Sequence, residues 1–315
     1  MGLIMEGPRK PSDLGARSWW AVLRRTVSRF RAENLTDWAA ALTYYGVLSI
    51  FPALIVLVSI VGLAGHSATQ SLLDNLSSFG PSPARDIVTG AIKQISHSQG
   101  SAGIAFVLGL AAALWSASGY VGAFIRASNV IYESPEGRPF WKLRPLQLAV
   151  TLVMVILIAV VLLALVLTGP VVRAVADPIG VGNTAITIWN YAKWPILAAL
   201  FVLMIDLLYY SSPNVKLRGF VWLTPGALLA LVLWAIASVG FAIFVANFGS
   251  YDKTYGTLGG VVVLLVWMWI TNLAILLGHE LNAERERSRE LAEGVPRAEH
   301  ALQLEPRQEP SEDST

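Results

Sequence analysis

The pentapeptide His279-Glu280-Leu281-Asn282-Ala283 opens like H-E-x-x-H, in which two imidazoles one helical turn apart hold zinc and the glutamate acts as base. Ala283 stands where the second imidazole must be, so that zinc site cannot form. The other histidines (His66, His97 and His300) are scattered. There is no cysteine, which removes thiolate metal sites, disulfides and thiol nucleophiles. The sequence has no Walker loop, G-x-S-x-G elbow or paired-carboxylate signature, and Gly119-Tyr120-Val121-Gly122 follows no strand. The expectation is a protein with no catalytic residue, no metal and no cofactor, whose chemistry is non-covalent.

The groups left with chemical capacity are polar residues set in apolar sequence. Asp206 is the sharpest, because a lone carboxylate among apolar neighbours needs a donor, a cation or a proton. Tyr44, Tyr45 and Ser49, followed by Pro52, form a second group, and Arg126 with Asn129 a third. Asn272, Glu280 and Asn282 form a fourth. If the helices bundle, all of these converge on one cytoplasm-facing cavity able to hold the polar part of a substrate. Arg126 is the cation nearest in depth to Asp206, which makes the two a candidate pair. Each residue also has a plainer reading: Pro52 as a kink, Tyr44 and Tyr45 as interfacial, Arg126 as snorkelling, Glu280 as lying at headgroup depth. On the other side, Tyr251, Tyr255 and Gly256 form a tight turn or, as the less favoured alternative, a gate.

The elements that must position these residues are membrane spans. Runs without Asp, Glu, Lys or Arg cover Trp38–Leu73, Gln94–Ile125, Pro145–Val172, Gly219–Tyr251 and Thr254–His279. About 20 apolar residues suffice to cross a ~30 Å hydrocarbon layer. Charged residues are only 14% of the chain, where soluble domains carry roughly 25%. The fold class is therefore all-α, a polytopic membrane protein with six transmembrane helices. They are placed at Ala39–Gly65, Ala102–Ile125, Leu146–Thr168, Trp189–Tyr210, Leu223–Phe248 and Thr257–Gly278. Eighteen of the 23 Lys and Arg fall on one side of this arrangement, which puts both termini in the cytoplasm.

Residues 1–38 form a basic amphipathic segment, 39–282 the membrane domain, and 283–315 a helix extension with a disordered tail. In the first segment Trp20, Leu23, Val27 and Phe30 lie on one helical face among arginines. That face either rests on the anionic inner leaflet or packs on the protein. Small residues recur at Ala105, Gly109, Ala113 and Ala117, and at Gly226, Ala230, Ser238, Ala242 and Ala246. Such stripes let helix backbones approach in lipid and predict that the second and fifth spans are central. The net charge of +2 gives no groove for nucleic acid. The expected partners are membrane lipids, with a lipid or other amphiphile as substrate.

Several blocks carry a family resemblance. They are Ala39-Ala40-Ala41-Leu42-Thr43-Tyr44-Tyr45 through Ser49-Ile50-Phe51-Pro52, Trp115-Ser116-Ala117-Ser118 with Asn129, and Arg138-Pro139-Phe140-Trp141. Further along come Pro225-Gly226-Ala227, Tyr255-Gly256-Thr257-Leu258-Gly259, and Leu277-Gly278-His279-Glu280-Leu281-Asn282-Ala283. Across about residues 35–285 the chain resembles the YihY/BrkB family of bacterial inner-membrane proteins. The resemblance implies a six-helix inner-membrane protein. Its members have carried ribonuclease BN and virulence-factor labels, and it implies no catalytic residues. Asp206 is not part of the family pattern. Transport or exposure of a substrate is the first functional expectation, a membrane scaffold or partner subunit the second, and a membrane-bound hydrolase or nuclease the third.

Overall fold

A computed structural model describes residues 16–63, 102–166, 183–247 and 257–310. Among them seven helices follow one another: α1 Ala16–Ala32, α2 Leu35–Leu63, α3 Ala102–Ile131, α4 Phe140–Val166, α5 Asn183–Ser211, α6 Pro225–Asn247 and α7 Thr257–Ala292. No strand occurs among the described residues beyond one isolated bridge, Val215 to Pro306. Four of these helices contain stretches long and apolar enough to cross a membrane: Phe140–Val161, Ile186–Ser211, Pro225–Val245 and Gly259–Ala292. The helices α2 and α3 have 29 and 30 residues, about 43 and 45 Å at 1.5 Å per residue, and overlap most of the first two charge-free runs. The protein is an all-α multi-pass membrane protein.

The helices outrun the hydrocarbon. Helix α4 starts at Phe140 rather than Leu146, because the Pro139 carbonyl already accepts from Lys142 and Leu143. Its exposed Phe140 and Trp141 sit where an interfacial belt requires aromatic rings. Helix α7 runs well past Gly278 on a Glu- and Arg-rich sequence and stops at Gly294. That glycine takes a φ of +72°, and Val295 N donates to the Glu290 carbonyl in a Schellman-type close.

The centre of the bundle is α7, which packs against α6, α2, α1 and α3. The expectation that the fifth span is central is corrected. Helix α6 makes one close seam with α7 and leaves Leu228, Val232, Ile236, Val239 and Ile243 exposed. A small-residue stripe creates one intimate contact; it does not require a helix to be surrounded. In the seam, Gly226 faces Gly278 so closely that a Cβ on either would collide with the other's backbone carbonyl. Ala230 continues the seam, fully buried. On the second span, the side chains of Ala105, Gly109 and Ala113 lie outside the described residues.

Both described ends of the chain gather at the end that the charge asymmetry assigns to the cytoplasm. Helix α1 docks through buried Val22 and Thr26 while Trp20, Leu23 and Val27 stay exposed. It is thus packed on the protein and still presents an apolar row outward. Phe30 departs from that row and packs on the core.

The tail expected to be disordered is held through residue 310. Arg307 donates to the Tyr210 carbonyl at 2.6 Å and the Val215 carbonyl at 2.9 Å, closing the carbonyl end of α5. Asn214 Nδ2 donates to the Gln308 carbonyl at 2.8 Å, and Leu302 N donates to Glu133 at 2.8 Å. The composition is that of a disordered segment. The 132–139 and 212–217 connections supply partners that order it: the Glu133 carboxylate, the Asn214 side chain, and the backbone of Asn214, Val215 and Lys216.

Candidate functional site

Two cavities flank different faces of α5. The first, about 540 Å³, lies at the cytoplasmic end and is lined by Asp206, Tyr210, Arg218, Phe220, Asn282, Arg285 and others. The second, about 420 Å³, lies within the bundle. Its walls are mostly apolar (Met154, Phe201, Ile205, Leu208, Trp267), with Ser49, Tyr120, Thr151 and Asn272 as polar members.

Asp206 is buried and faces inward. Its partner is not a cation. Thr224 Oγ1 donates to Oδ1 at 2.5 Å and Thr224 N to Oδ2 at 3.2 Å. Thr224 is the N-cap of α6: its Oγ1 accepts from Ala227 N at 3.1 Å, and Pro225 opens the helix with the φ a first turn needs. Asn282 of α7 completes the knot, donating to Thr224 Oγ1 at 3.0 Å and accepting from Gly226 N at 3.0 Å. The carboxylate thus sits where the partial positive charge at the start of α6 favours it, and three helices are tied at one point.

A polar ladder lines the bundle interior. Tyr120 Oη donates to Asn272 Oδ1 at 2.8 Å, and Asn272 Nδ2 donates to Thr43 Oγ1 at 3.1 Å. His279, wholly buried, places Nε2 2.9 Å from Ser128 Oγ and stacks on Tyr209 with ring centroids 4.3 Å apart. Each of these residues has a partner on another helix, while His279 Nδ1 is buried with none among the described residues.

The expected single cavity is therefore divided. Asp206 and Asn282 line the cytoplasmic one, and Ser49 and Asn272 the one within the bundle. Tyr45 packs against the core and over the α-carbon of Gly119, whereas Tyr44 is exposed. The pairing of Arg126 with Asp206 is not formed. Arg126 is exposed with its guanidinium 5.7 Å from the Tyr45 ring centroid, because its position on α3 turns it away from α5. Asn129 lines neither cavity; it bonds Glu136 at 2.9 Å and accepts from Asn214 N at 2.8 Å, joining two connections. Glu280 is buried beside Glu33 and lines neither cavity. The side chain of Pro52 and all of Tyr251, Tyr255 and Gly256 lie outside the described residues.

Several participants were not singled out from the sequence. Thr224 was legible as a cap, since Thr-Pro before an apolar run is a helix-start signal. Arg218 and Arg285 carried no signal, because they resemble any positive-inside residue. The same holds for the network at the α1–α7 contact. There Glu284 accepts from Arg25 at 2.7 Å and from Arg287 at 2.8 Å, and Arg287 also reaches Glu133 at 3.1 Å.

Glu33, in the turn between α1 and α2, is pushed up to about 7 by burial, against the lowering influence of Arg29. Its carboxyl lies beside that of buried Glu280, and one oxygen of each is buried without a hydrogen-bond partner among the described residues. Between the ordinary carboxylate range and about 7 the folded protein holds the Glu33 proton and the unfolded chain does not. Stability is therefore present in full at low pH and falls as pH rises through 7. Melting temperature in detergent is expected to be several degrees higher at pH 5.5 than at pH 8, and Glu33→Gln should narrow that difference. Parallel pH profiles for the two proteins would sink this assignment.

The match to known proteins covers most of the chain. The family model described as Virulence factor BrkB matches residues 26–302. The ribonuclease-like protein YfkH of Bacillus subtilis (strain 168) is 30% identical over 87% of this chain and 98% of its own length. A UPF0761 membrane protein of Aeromonas salmonicida is 28% identical over 84% of this chain and 90% of its own. Another, of Alteromonas mediterranea, is 27% identical over 91% of this chain and 92% of its own. No solved structure matches significantly. With its apolar helices and its match from α1 to the ordered tail, this chain belongs to the virulence factor BrkB family and is a multi-pass protein of the bacterial inner membrane.

Proposed function

We propose that this protein moves or presents a lipid-like amphiphile at the inner membrane and makes or breaks no covalent bond in doing so. The observation that carries this reading is the pair of cavities beside α5, one apolar within the bundle and one arginine-lined at the cytoplasmic end. Together they offer surroundings for an apolar body and a charged head. The volume of each falls within the ordinary range for small-molecule sites, and an apolar void is costly to leave unfilled. The name of the Bacillus relative points to nuclease chemistry. Among the described residues, however, no group of three or more His, Asp or Glu is arranged to hold a metal.

The test is reconstitution in vesicles with a fluorescent amphiphile in one leaflet. Movement should exceed that in protein-free vesicles, and Met154→Trp, which fills the cavity within the bundle, should slow it about tenfold at unchanged yield. Asp206→Asn should lower the rate per folded molecule. A rate equal to that of empty vesicles would end the reading.

A scaffold role is the second reading, favoured by the way Asp206 and Asn282 meet at Thr224 and Asn272 bonds Tyr120 and Thr43, each tying helices together. Under it Asp206→Asn changes yield alone.

A further inference from the structure

We infer that the cytoplasmic cavity binds the phosphate of a glycerophospholipid headgroup, with Arg285 as its anchor. This deepens the reading above by naming a substrate class; it rests on that reading for the lipid's movement and on the cavity alone for its binding.

Arg285 lines the cavity with its side chain only 12% exposed. Its Nε is buried and meets no acceptor. Its acceptor among the described residues is the adjacent Glu286 at 3.4 Å, long for a bond between charged groups, which normally closes to 2.7–2.9 Å. A buried guanidinium donor left unmatched is costly, and an acceptor brought in from outside relieves that cost. The carboxylates nearby are already engaged. Glu286 holds Arg289 at 2.8 Å, Glu293 grips Arg218 at 2.6 Å, and Asp206 holds Thr224. Arg285 is thus the cation in this wall whose demand the protein leaves open. A guanidinium fork matches the paired oxygens of a phosphate better than it matches any neutral group.

The source of the phosphate follows from the surroundings. Leu217, Phe220 and Val221 supply an apolar wall beside the arginines. The next residues of the same connection, Trp222 and Leu223, are 72% and 56% exposed where α6 enters the membrane. An aromatic and aliphatic rim at interface depth sits level with lipid headgroups. The cavity is also far larger than a phosphate ion, and its apolar wall would be idle around one.

The test uses the full chain, purified in a neutral detergent, with binding read by native mass spectrometry and by thermal shift. The probes are dioleoyl phosphatidylglycerol, dioleoyl phosphatidylethanolamine, dioleoylglycerol and inorganic phosphate. Both phospholipids should bind, the phosphate-free diacylglycerol should not, and inorganic phosphate should compete only at millimolar concentration. Arg285→Gln should weaken phospholipid binding at least tenfold, and Arg285→Lys should restore part of it. Equal retention of diacylglycerol by the wild-type chain would overturn the inference, and that comparison needs no variant. Unchanged affinity in a folded Arg285→Gln protein would overturn it too. Free phosphate binding as tightly as phospholipid would overturn the lipid assignment. Phosphate-dependent binding without movement in vesicles would support the site while ending the translocation reading. Movement without phosphate-dependent binding would do the reverse.

Discussion

Valine at Gly278 should destabilise the protein by about 3 kcal/mol or more, among the largest effects of any single substitution in the bundle. The reason is the character of the contact. A Cβ at Gly278 would strike the backbone carbonyl of Gly226, and one at Gly226 would strike the carbonyl of Gly278. Backbone cannot rotate away as a side chain can, so α6 and α7 would have to separate. Separation breaks the bond from Gly226 N to Asn282 and loosens the cap that Asp206 holds through Thr224. Two controls bracket the effect. At Gly46 the new methyl would meet the flexible end of Met268, a contact that a thioether can yield, so Gly46→Ala should be mild. At Gly240 it would meet nothing within 4 Å, so Gly240→Ala should be neutral or slightly stabilising, as alanine is the better helix former. Thermal melts of the purified variants give the comparison. Equal melting of Gly278→Val and Gly240→Ala would show that the seam is not where these helices meet.

Arg287→Met is expected to cost about 3–5 kcal/mol, the usual penalty for removing one partner of a buried ion pair. Arg287 is 3% exposed and Glu284 1%. Without the guanidinium, Glu284 keeps only Arg25, and Glu133 loses a contact while still holding the tail at Leu302 N. Arg287 also donates to the Ala298 carbonyl at 3.1 Å, so its loss should free the tail. Limited proteolysis is therefore expected to cut within residues 295–310 in the variant and not in the wild-type chain. The pair Glu284→Leu with Arg287→Leu should be less destabilised than the sum of its single changes, since neither charge is left stranded. Additive losses would show that the two do not act as a pair.

The amino-acid sequence by itself determined the class of the protein and the course of its helices. Long charge-free runs admit one solution in lipid, because a spanning segment must satisfy its own backbone hydrogen bonds. The basic excess at one end was equally plain, as was the inward demand of Asp206. What only the tertiary structure decided is which helix faces which. Lipid and protein interior are alike apolar, so an apolar helix carries little record of which side meets protein. Hence α7 is central where α6 had been expected. Asp206 is answered by a threonine cap rather than by Arg126, and one expected cavity became two on different faces of α5. The tail had the composition of a solvated segment, and its order comes from a carbonyl at the end of α5 and a side-chain amide in the connection after it, some 90 residues away in sequence. Their availability is a property of the assembled cytoplasmic end and of no single segment.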